Sequence, residues 1–234
     1  MTERETVVHN LVMLKGIEEG SAEHKMIIDV FNKSKLCSRY KMTTKDSWCA
    51  TTVSYAFIAA KLAGKPGSGA VCQFVECSCG KMIELAKKQG IWVEKDNYIP
   101  KKGDVIMYDW DDSGKGDNKG WPDHTGIIEF VKDDYMKVIE GNKNDHVGER
   151  NIAINGKCIR GFIVPKYKDE LYYPKYPGKS NSIVDALKAI GINNPSFSLR
   201  GKIAKANGIK LYIGSASQNI KMLNLLKQGK LKMP

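Results

Sequence analysis

The sequence predicts an α+β fold in which helices precede an antiparallel sheet, with a small three-helix domain at the C-terminal end. Apolar residues recur at helix spacing up to residue 90, whereas short apolar runs separated by turn residues fill the stretch 105–164. A stretch rich in proline and tyrosine then leads into a basic segment with three short helical patterns. We therefore divide the chain into a domain at 1–165, a linker at 166–180 and a helical domain at 181–234.

Helices are predicted wherever apolar residues repeat every three or four positions in the first part of the chain. The predicted helices are 3–17, 23–32, 49–64 and 81–89. Glycines mark the ends of the first, third and fourth of these helices. We interpret the first two helices as cover for the domain rather than as carriers of chemistry.

The helix that begins at Cys49 is the first candidate for a functional element. Asp46 and Ser47 precede it, and both residue types favour helix starts. Cys49 would lie in the first turn, where the partial positive charge of the helix N-terminus stabilises a thiolate, the nucleophilic form of cysteine. The alternative is a buried cysteine that packs as a small apolar side chain. Catalysis would also require a base and a group that orients it.

Strands are predicted in the second part of the domain, where apolar runs are short and turn residues separate them. The strand-type runs are 105–108, 124–131, 136–142, 152–154 and 158–164. Four polar residues join the second run to the third, which indicates a hairpin. Asn155-Gly156 joins the last two runs and predicts a second hairpin, while 142–150 reads as a polar loop.

Positive charge is concentrated at the C-terminal end of the chain. Residues 181–234 contain Arg200 and eight lysines against the single acid Asp185, so they carry 9 − 1 = +8 of the total net charge of +11. A basic module attached to a nearly neutral domain predicts an anchor for a polyanion such as nucleic acid, anionic lipid or cell wall. No apolar run approaches the roughly 20 residues needed to cross a bilayer.

The sequence gives little support for a metal or cofactor. Six cysteines are few for a disulfide scaffold of this length, so we expect free thiols. The cysteines at 72, 77 and 79 lack the spacing of zinc ligands. A weak calcium-loop pattern has a glycine at its twelfth position instead of a glutamate. Its candidate ligands are Asp109, Asp111, Ser113 and Asp117. We expect no cofactor, with calcium as the alternative.

A candidate base for Cys49 stands at the head of a predicted strand. His124 begins the run 124–131, where a rigid scaffold would fix it, whereas the other histidines fall on the covering helices or in a polar loop. The next run ends in Glu140-Gly141-Asn142, and in a hairpin that end lies near the beginning of the first strand. Glu140 or Asn142 could therefore orient the imidazole of His124.

This order of motifs resembles a known family. Trp48-Cys49 at a helix start, Asp123-His124-Thr125 on a strand and Glu140-Gly141-Asn142 on the next strand resemble the CHAP family of peptidoglycan-cleaving cysteine amidohydrolases and peptidases. The resemblance covers about residues 3–165. It implies a papain-like domain with helices packed on an antiparallel sheet, in which Cys49 is the nucleophile, His124 the general base, and Glu140 and Asn142 the orienting groups.

The resemblance also implies a substrate and a role for the C-terminal domain. Residues 182–187 and 216–227 look, more loosely, like wall-binding modules of phage endolysins and clostridial autolysins. We therefore expect an endolysin, acting as an N-acetylmuramoyl-L-alanine amidase or endopeptidase on bacterial peptidoglycan and held by anionic wall polymers, with neither nucleic acid nor membrane as partner. Candidate substrate-binding residues are Trp48, Trp121, Glu76 and Tyr108.

Two other functions remain open from the sequence alone. The first is a non-catalytic basic adaptor that binds nucleic acid or wall, although its basic segment has only Phe197 and Tyr212 as aromatic residues for stacking. The second is a cysteine protease that acts on proteins.

The N-terminus lacks a secretory pattern. We therefore expect synthesis in the host cytoplasm and access to the wall through holin-type release or lysis.

Overall fold

The computed structural model describes residues 1–37, 39–112, 120–168 and 171–234. The chain divides into two compact units, Met1–Tyr167 (unit 1) and Lys168–Pro234 (unit 2). Each unit has its own hydrophobic core. Within the described ranges, no helix combines the length and apolarity that a transmembrane span requires.

Unit 1 consists of four helices and six strands. Its helices are α1 (Glu3–Val12), α2 (Ala22–Ser34), α3 (Cys49–Ala59) and α4 (Cys79–Gln89). Its strands are β1 (Trp92–Val93), β2 (Val105–Tyr108), β3 (His124–Lys132), β4 (Tyr135–Lys143), β5 (His146–Ala153) and β6 (Ile159–Ile163). The strands form one antiparallel sheet in the order β1-β6-β2-β3-β4-β5. The predicted α+β class is confirmed.

The helices cover one face of the sheet. Alternate residues of the central strands, such as Val105 and Met107 on β2, point to this face and join the core formed with the helices. The intervening residues Ile106 and Tyr108 join a second apolar cluster on the opposite face. Helix α3 is buried on almost every side and contacts β3 and β4. The sheet therefore fixes the start of α3 against the two strands that carry His124 and Glu140.

The start of α3 differs from the prediction. Its N-cap residue is Trp48, and among the described residues no side chain caps the first turn. Asp46, predicted as a capping residue, instead accepts hydrogen bonds from the backbone amide and hydroxyl of Thr43 and from Tyr40. The backbone amides of the first turn are therefore not capped by a side chain, and Cys49 lies in that turn.

The second predicted hairpin is wrong. β5 begins at His146, inside the stretch predicted as a polar loop, and pairs with β4 at one edge of the sheet. β6 does not pair with β5 but lies between β1 and β2. Four of the five residues of β6 are buried, which suits an interior strand, whereas the exposed alternate residues of β5 suit an edge. Asn155-Gly156 therefore begins a crossover rather than closing a hairpin.

Unit 2 contains three helices, α5 (Ile183–Ala189), α6 (Phe197–Ala206) and α7 (Ala216–Lys227). Each has a serine N-cap whose side chain accepts a hydrogen bond from the first turn. Their apolar faces form a core that also contains Tyr173 and Tyr176. The amides of these tyrosines donate to Leu231 O and Leu226 O. The predicted linker 166–180 thus differs from the structure, because Tyr167 packs against the core of unit 1 while Tyr173 and Tyr176 pack within unit 2.

Candidate active site

Cys49 is the first residue of α3, and only 6% of its surface is exposed. A helix N-terminus carries partial positive charge and stabilises a thiolate. A hydrogen bond with Cys79 lowers the pKa of Cys49, burial opposes this effect, and His124 and the amide of Ala50 lower the pKa further. The net result is a pKa well below the ordinary value for cysteine.

His124 is the first residue of β3, where it pairs with Tyr108 of β2. Its imidazole interacts with the sulfur of Cys49 and the carboxylate of Glu140. Burial alone would lower the pKa of His124, but these two contacts outweigh burial and raise the pKa to about 9. The two shifts together favour a thiolate beside a protonated imidazole.

Glu140 on β4 is fully buried and lies behind the histidine. Its Oε2 is 3.3 Å from Nε2 of His124, an ion-pair contact that lacks the alignment of a hydrogen bond. Burial would raise the pKa of Glu140, but contacts with His124, Arg150 and Tyr108 together lower it. The site therefore places a thiol, an imidazole and a carboxylate in the order that nucleophilic catalysis by cysteine requires.

Asn142 is not part of this contact set. It follows Glu140 at a register shift of β4 and has a left-handed backbone with φ of 54°. No hydrogen bond joins its side chain to His124 within the part of the chain that the structure describes. Because the shift interrupts the alternation of side chains, the structure brings together Cys49, His124 and Glu140 without Asn142.

A family model matches the part of the chain that contains this arrangement. The family model described as CHAP domain matches residues 39–142, which include all three contacting residues. The chain contains a CHAP domain. CHAP domains belong to a family of peptidoglycan hydrolases that includes amidases and endopeptidases, and its cysteine hydrolases need no cofactor.

Other comparisons add little. A solved structure described as "The crystal structure of Ly7917" is similar over 69% of this chain and 62% of that chain, with 12% sequence identity and a TM-score of 0.35. The chain thus spans less than two thirds of that protein's length. No curated protein matches the chain.

Arg150 and Tyr108 hold the buried carboxylate of the CHAP domain, and the sequence did not indicate either role. Nε of Arg150 donates to Oε1 of Glu140 at 2.7 Å, and the hydroxyl of Tyr108 donates to the same oxygen at 2.6 Å. Tyr108, predicted to bind substrate, is fully buried. Arg150 escaped notice because its stretch was predicted as a loop, whereas it lies on β5.

Two other predicted substrate-binding residues have structural roles. Trp48 is fully buried, and its indole Nε1 donates to Glu19 at 3.0 Å. Glu76 is also buried, and its Oε1 accepts from Nη2 of Arg39 at 2.9 Å and from the amide of Cys77 at 2.8 Å. Both predictions were wrong because each side chain is turned into the protein and satisfied there.

Two exposed tryptophans lie close to the site. Trp121, a predicted substrate-binding residue, is 66% exposed, and its ring lies over Gly80 in the first turn of α4. Trp110 is 43% exposed and stacks on Tyr108, with ring centroids 4.8 Å apart. Its ring centroid is 5.9 Å from that of His124. Trp110 was not predicted, although it lies two residues after a predicted strand.

Cys79 is the second thiol of the site that contains the imidazole and the carboxylate. From the sequence it was considered only as a zinc ligand. It is the first residue of α4 and is 7% exposed. Its Sγ lies 3.9 Å from Sγ of Cys49. The contact depends on how α4 packs against the start of α3, which spacing along the chain does not reveal.

A different group of side chains has the composition of a metal site. Cys37, Glu76 and Cys77 place their possible ligand atoms within 4.8 Å of one another. However, the Glu76 oxygen that faces both sulfurs already accepts from Arg39 and from the amide of Cys77. A cation would have to displace one of these donors and would lie beside the guanidinium, so we assign no metal there.

The calcium candidates form no described ligand set. The carboxylate of Asp109 accepts from the amide of Asp111 and lies directly against Gly120. Asp111 is exposed. Ser113 and Asp117 lie outside the described residues.

Proposed function

We propose that this protein hydrolyses an amide bond of bacterial wall peptide, with Cys49 as nucleophile, His124 as general acid and base, and Glu140 as the orienting carboxylate. The observation that carries the proposal is the chain of contacts from Cys49 through His124 to Glu140 within a CHAP domain. The lowered pKa of Cys49 and the raised pKa of His124 support an ion pair that is ready for attack.

The proposed mechanism is acyl transfer through a thioester. The Cys49 thiolate attacks the amide carbon, and the free amides at the start of α3 face the oxyanion that forms. Protonated His124 gives its proton to the leaving amine as the carbon–nitrogen bond breaks. Neutral His124 then takes a proton from water as the water oxygen attacks the thioester carbon. The carbon–sulfur bond breaks to regenerate the Cys49 thiolate, and the carboxylic acid product leaves and loses its proton to solvent.

Trp110 and Trp121 are the side chains we propose as walls of the substrate cleft. Both are exposed. The ring of Trp110 lies beside that of His124, and the ring of Trp121 lies against Gly80, which follows Cys79. An aromatic face suits the apolar surfaces of sugar rings and of peptide side chains. We expect their replacement by alanine to raise KM more than it lowers kcat, because neither side chain carries a proton in the mechanism.

We also propose that unit 2 holds the enzyme on the wall. Residues 181–234 of this unit carry a net charge of +8, which favours anionic wall polymers. Large apolar side chains are also more than half exposed around the loop between α6 and α7. They are Phe197, Leu211, Ile213 and Ile220. Retention on the wall would raise the local concentration of bonds available to the site.

The apolar loop is held rigidly rather than left free. Oε1 of Gln218 accepts from the amide of Ile213 at 3.0 Å, and its Nε2 donates to Leu211 O at 3.1 Å. Leu211 has a left-handed backbone with φ of 48° and is 90% exposed. Leucine rarely adopts this conformation. A strained, braced loop that presents apolar side chains to solvent supports a binding role.

The direct test of the catalytic proposal compares wild type with Cys49→Ala on purified cell walls. We expect the loss of light scattering to slow by at least about 10³-fold in Cys49→Ala, because no other group in the mechanism supplies a nucleophile. Cys158→Ala is a matched control, since this cysteine lies near Trp110 and Asp112 rather than near His124. Equal clearing by wild type and Cys49→Ala would rule out the thiol mechanism.

Fragment analysis identifies the bond that is cut. Mass spectrometry of the released products, after labelling of new amino termini, distinguishes the two reactions that the CHAP family includes. New amino-terminal L-alanine identifies an amidase, and new termini within the stem peptide or cross-bridge identify an endopeptidase. Release of neither product, together with cleavage of an unrelated protein, would favour a protease acting on proteins.

A further inference from the structure

The N-termini of α3 and α4 meet at the nucleophile, and each helix begins with a cysteine. The two sulfurs, of Cys49 and Cys79, are 3.9 Å apart, a distance at which one thiol can donate a hydrogen bond to the other sulfur. Both residues are more than nine-tenths buried. A charged sulfur in such a place needs donors from the protein, because water has little access.

Few groups surround the sulfur of Cys49. Cys79 approaches from α4, His124 approaches from β3, and the amide of Ala50 belongs to the same helix turn. Behind the imidazole lie Glu140 of β4 and Arg150 of β5. Cys79 is therefore the one neutral side-chain donor among the contacts of this sulfur that the structure describes.

The surroundings of Cys79 keep its proton in place. The neighbouring Cys49 sulfur, burial and the negative charge of Asp123 all raise the pKa of Cys79. The pKa values of the two thiols are thus shifted in opposite directions, which favours the ionised form of Cys49 and the protonated form of Cys79. An S–H group beside a thiolate has one favourable arrangement, in which the hydrogen points to the charged sulfur.

We propose that Cys79 is a positioning residue of the active site, whose thiol donates a hydrogen bond to the sulfur of Cys49 and holds that sulfur ionised and turned toward His124. The importance of this contact for catalysis rests on the proposed function. The ionisation of Cys49 itself can be measured without any wall substrate, so the two proposals can fail separately.

The test measures the pH dependence of Cys49 alkylation in the full chain. Iodoacetamide reacts with thiolates, and mass spectrometry of the Cys49 peptide gives the rate at each pH. We compare wild type with Cys79→Ala, which removes the donor, and Cys79→Ser, which restores a smaller O–H donor. Cys77→Ala is the matched control, because Cys77 lies two residues earlier and contacts Glu76.

Loss of the donor should shift the alkylation midpoint upward. We expect a shift of about one pH unit in Cys79→Ala, which is about tenfold less thiolate below the midpoint. Cys79→Ser should lie between Cys79→Ala and wild type, and Cys77→Ala should match wild type. Tryptophan fluorescence melts confirm that each variant is folded before its midpoint is compared.

Three results would overturn the proposal. They are an unchanged midpoint in folded Cys79→Ala, a serine variant that shifts as far as the alanine variant, and an equal shift in Cys77→Ala.

The acid limb of kcat/KM gives the link to catalysis. If Cys49→Ala still clears walls, the proposed function fails while the alkylation shift can still hold. If only the alkylation shift is missing, Cys79 has no positioning role and the thiol mechanism stands.

Discussion

Glu140 connects the protein interior to the reacting groups. Its buried carboxylate accepts hydrogen bonds from Tyr108 and Arg150 and lies 3.3 Å from Nε2 of His124. Because these contacts lower its pKa, Glu140 remains ionised at neutral pH and favours the protonated histidine. Arg150 balances part of this negative charge from the opposite side. The charge of this buried side chain therefore helps to keep His124 protonated beside Cys49.

Glu140→Gln should lower activity with little change in shape. Glutamine retains an oxygen that can accept from Tyr108 and Arg150 but removes the charge that raises the pKa of His124. We expect kcat/KM to fall by about 10²–10³-fold, and its alkaline limb to move to lower pH. Glu149→Gln is the control, since Glu149 pairs with Lys137 away from the histidine. A Glu140→Gln enzyme with wild-type kcat/KM would contradict this role.

The pH profile follows from the two titrating groups of the ion pair. As pH falls through the lowered pKa of Cys49, the nucleophile is protonated and activity is lost. As pH rises through about 9, His124 loses the proton that the leaving amine requires. We therefore expect kcat/KM on a soluble wall fragment to stay level through neutrality and to fall near pH 9. A fall in kcat/KM as pH rises through the ordinary histidine pKa, about 6.5, would show that the pair is not ionised this way.

A residue of the site was predictable where a reactive residue type stood at the start or end of a predicted helix or strand. A cysteine at a helix start and a histidine at a strand start are visible in the sequence, and so is a glutamate at the end of the paired strand. The roles of Arg150, Trp110 and Cys79 were not predictable, because they depend on contacts between distant elements. Trp48, Tyr108 and Glu76 were wrongly predicted to bind substrate, since the sequence does not show which way a side chain turns.

The contact between α3 and β4 sets the distance between nucleophile and carboxylate. Gly141 follows Glu140 on β4, and a Cβ at this position would lie 2.1 Å from Oγ1 of Thr52 on α3. Thr52 is fully buried and its hydroxyl donates to Trp48 O. The helix therefore rests directly on the strand, and no other residue type fits at 141 without moving one of them.

Gly141→Ala should weaken the domain and the site together. Overpacking at this contact is expected to lower the free energy of unfolding by about 1–3 kcal/mol and to separate Glu140 from its partners. All four tryptophans lie in unit 1, so their fluorescence reports its unfolding alone. An unchanged tryptophan transition in Gly141→Ala would contradict the tight contact.

Elements were predicted better than their connections. Periodicity located the helices and most strands, but only the end of β5 was predicted, as 152–154, because its exposed face is polar. Asn155-Gly156 predicted a hairpin, and the crossover to β6 arises because an apolar strand is better buried between β1 and β2 than at an edge. The free start of α3 was missed because Asp46 binds Thr43 instead of the helix.

The molecule consists of two units, each with its own core, and we assign them separate tasks. Unit 1 contains the CHAP site, and unit 2 contains the positive charge and the exposed apolar loop. The sequence predicted this division and the three C-terminal helices. It could not predict that Tyr173 and Tyr176 belong to the core of unit 2, because tyrosine–proline repeats are also typical of linkers.

Removal of the exposed apolar side chains of unit 2 should weaken wall binding without affecting chemistry. In the Cys49→Ala background, Leu211→Ala combined with Ile213→Ala should reduce wall affinity by about tenfold, measured by sedimentation with purified walls. Leu171→Ala is the control, because Leu171 is exposed on unit 2 but lies next to Met233. Salt should weaken binding in every variant, since lysines contribute to it. Wild-type sedimentation of the double variant would exclude the loop from the wall-binding surface.

Capture of the acyl-enzyme tests the proposed role of Cys49 most directly. Wild type mixed with a soluble wall fragment and quenched in acid should carry the acyl part of that fragment as a thioester on the Cys49 peptide, as seen by mass spectrometry. Hydroxylamine should remove this adduct, and Cys49→Ala should neither form it nor release product. An acyl group on a different residue, or product release by Cys49→Ala at the wild-type rate, would contradict the thiol mechanism.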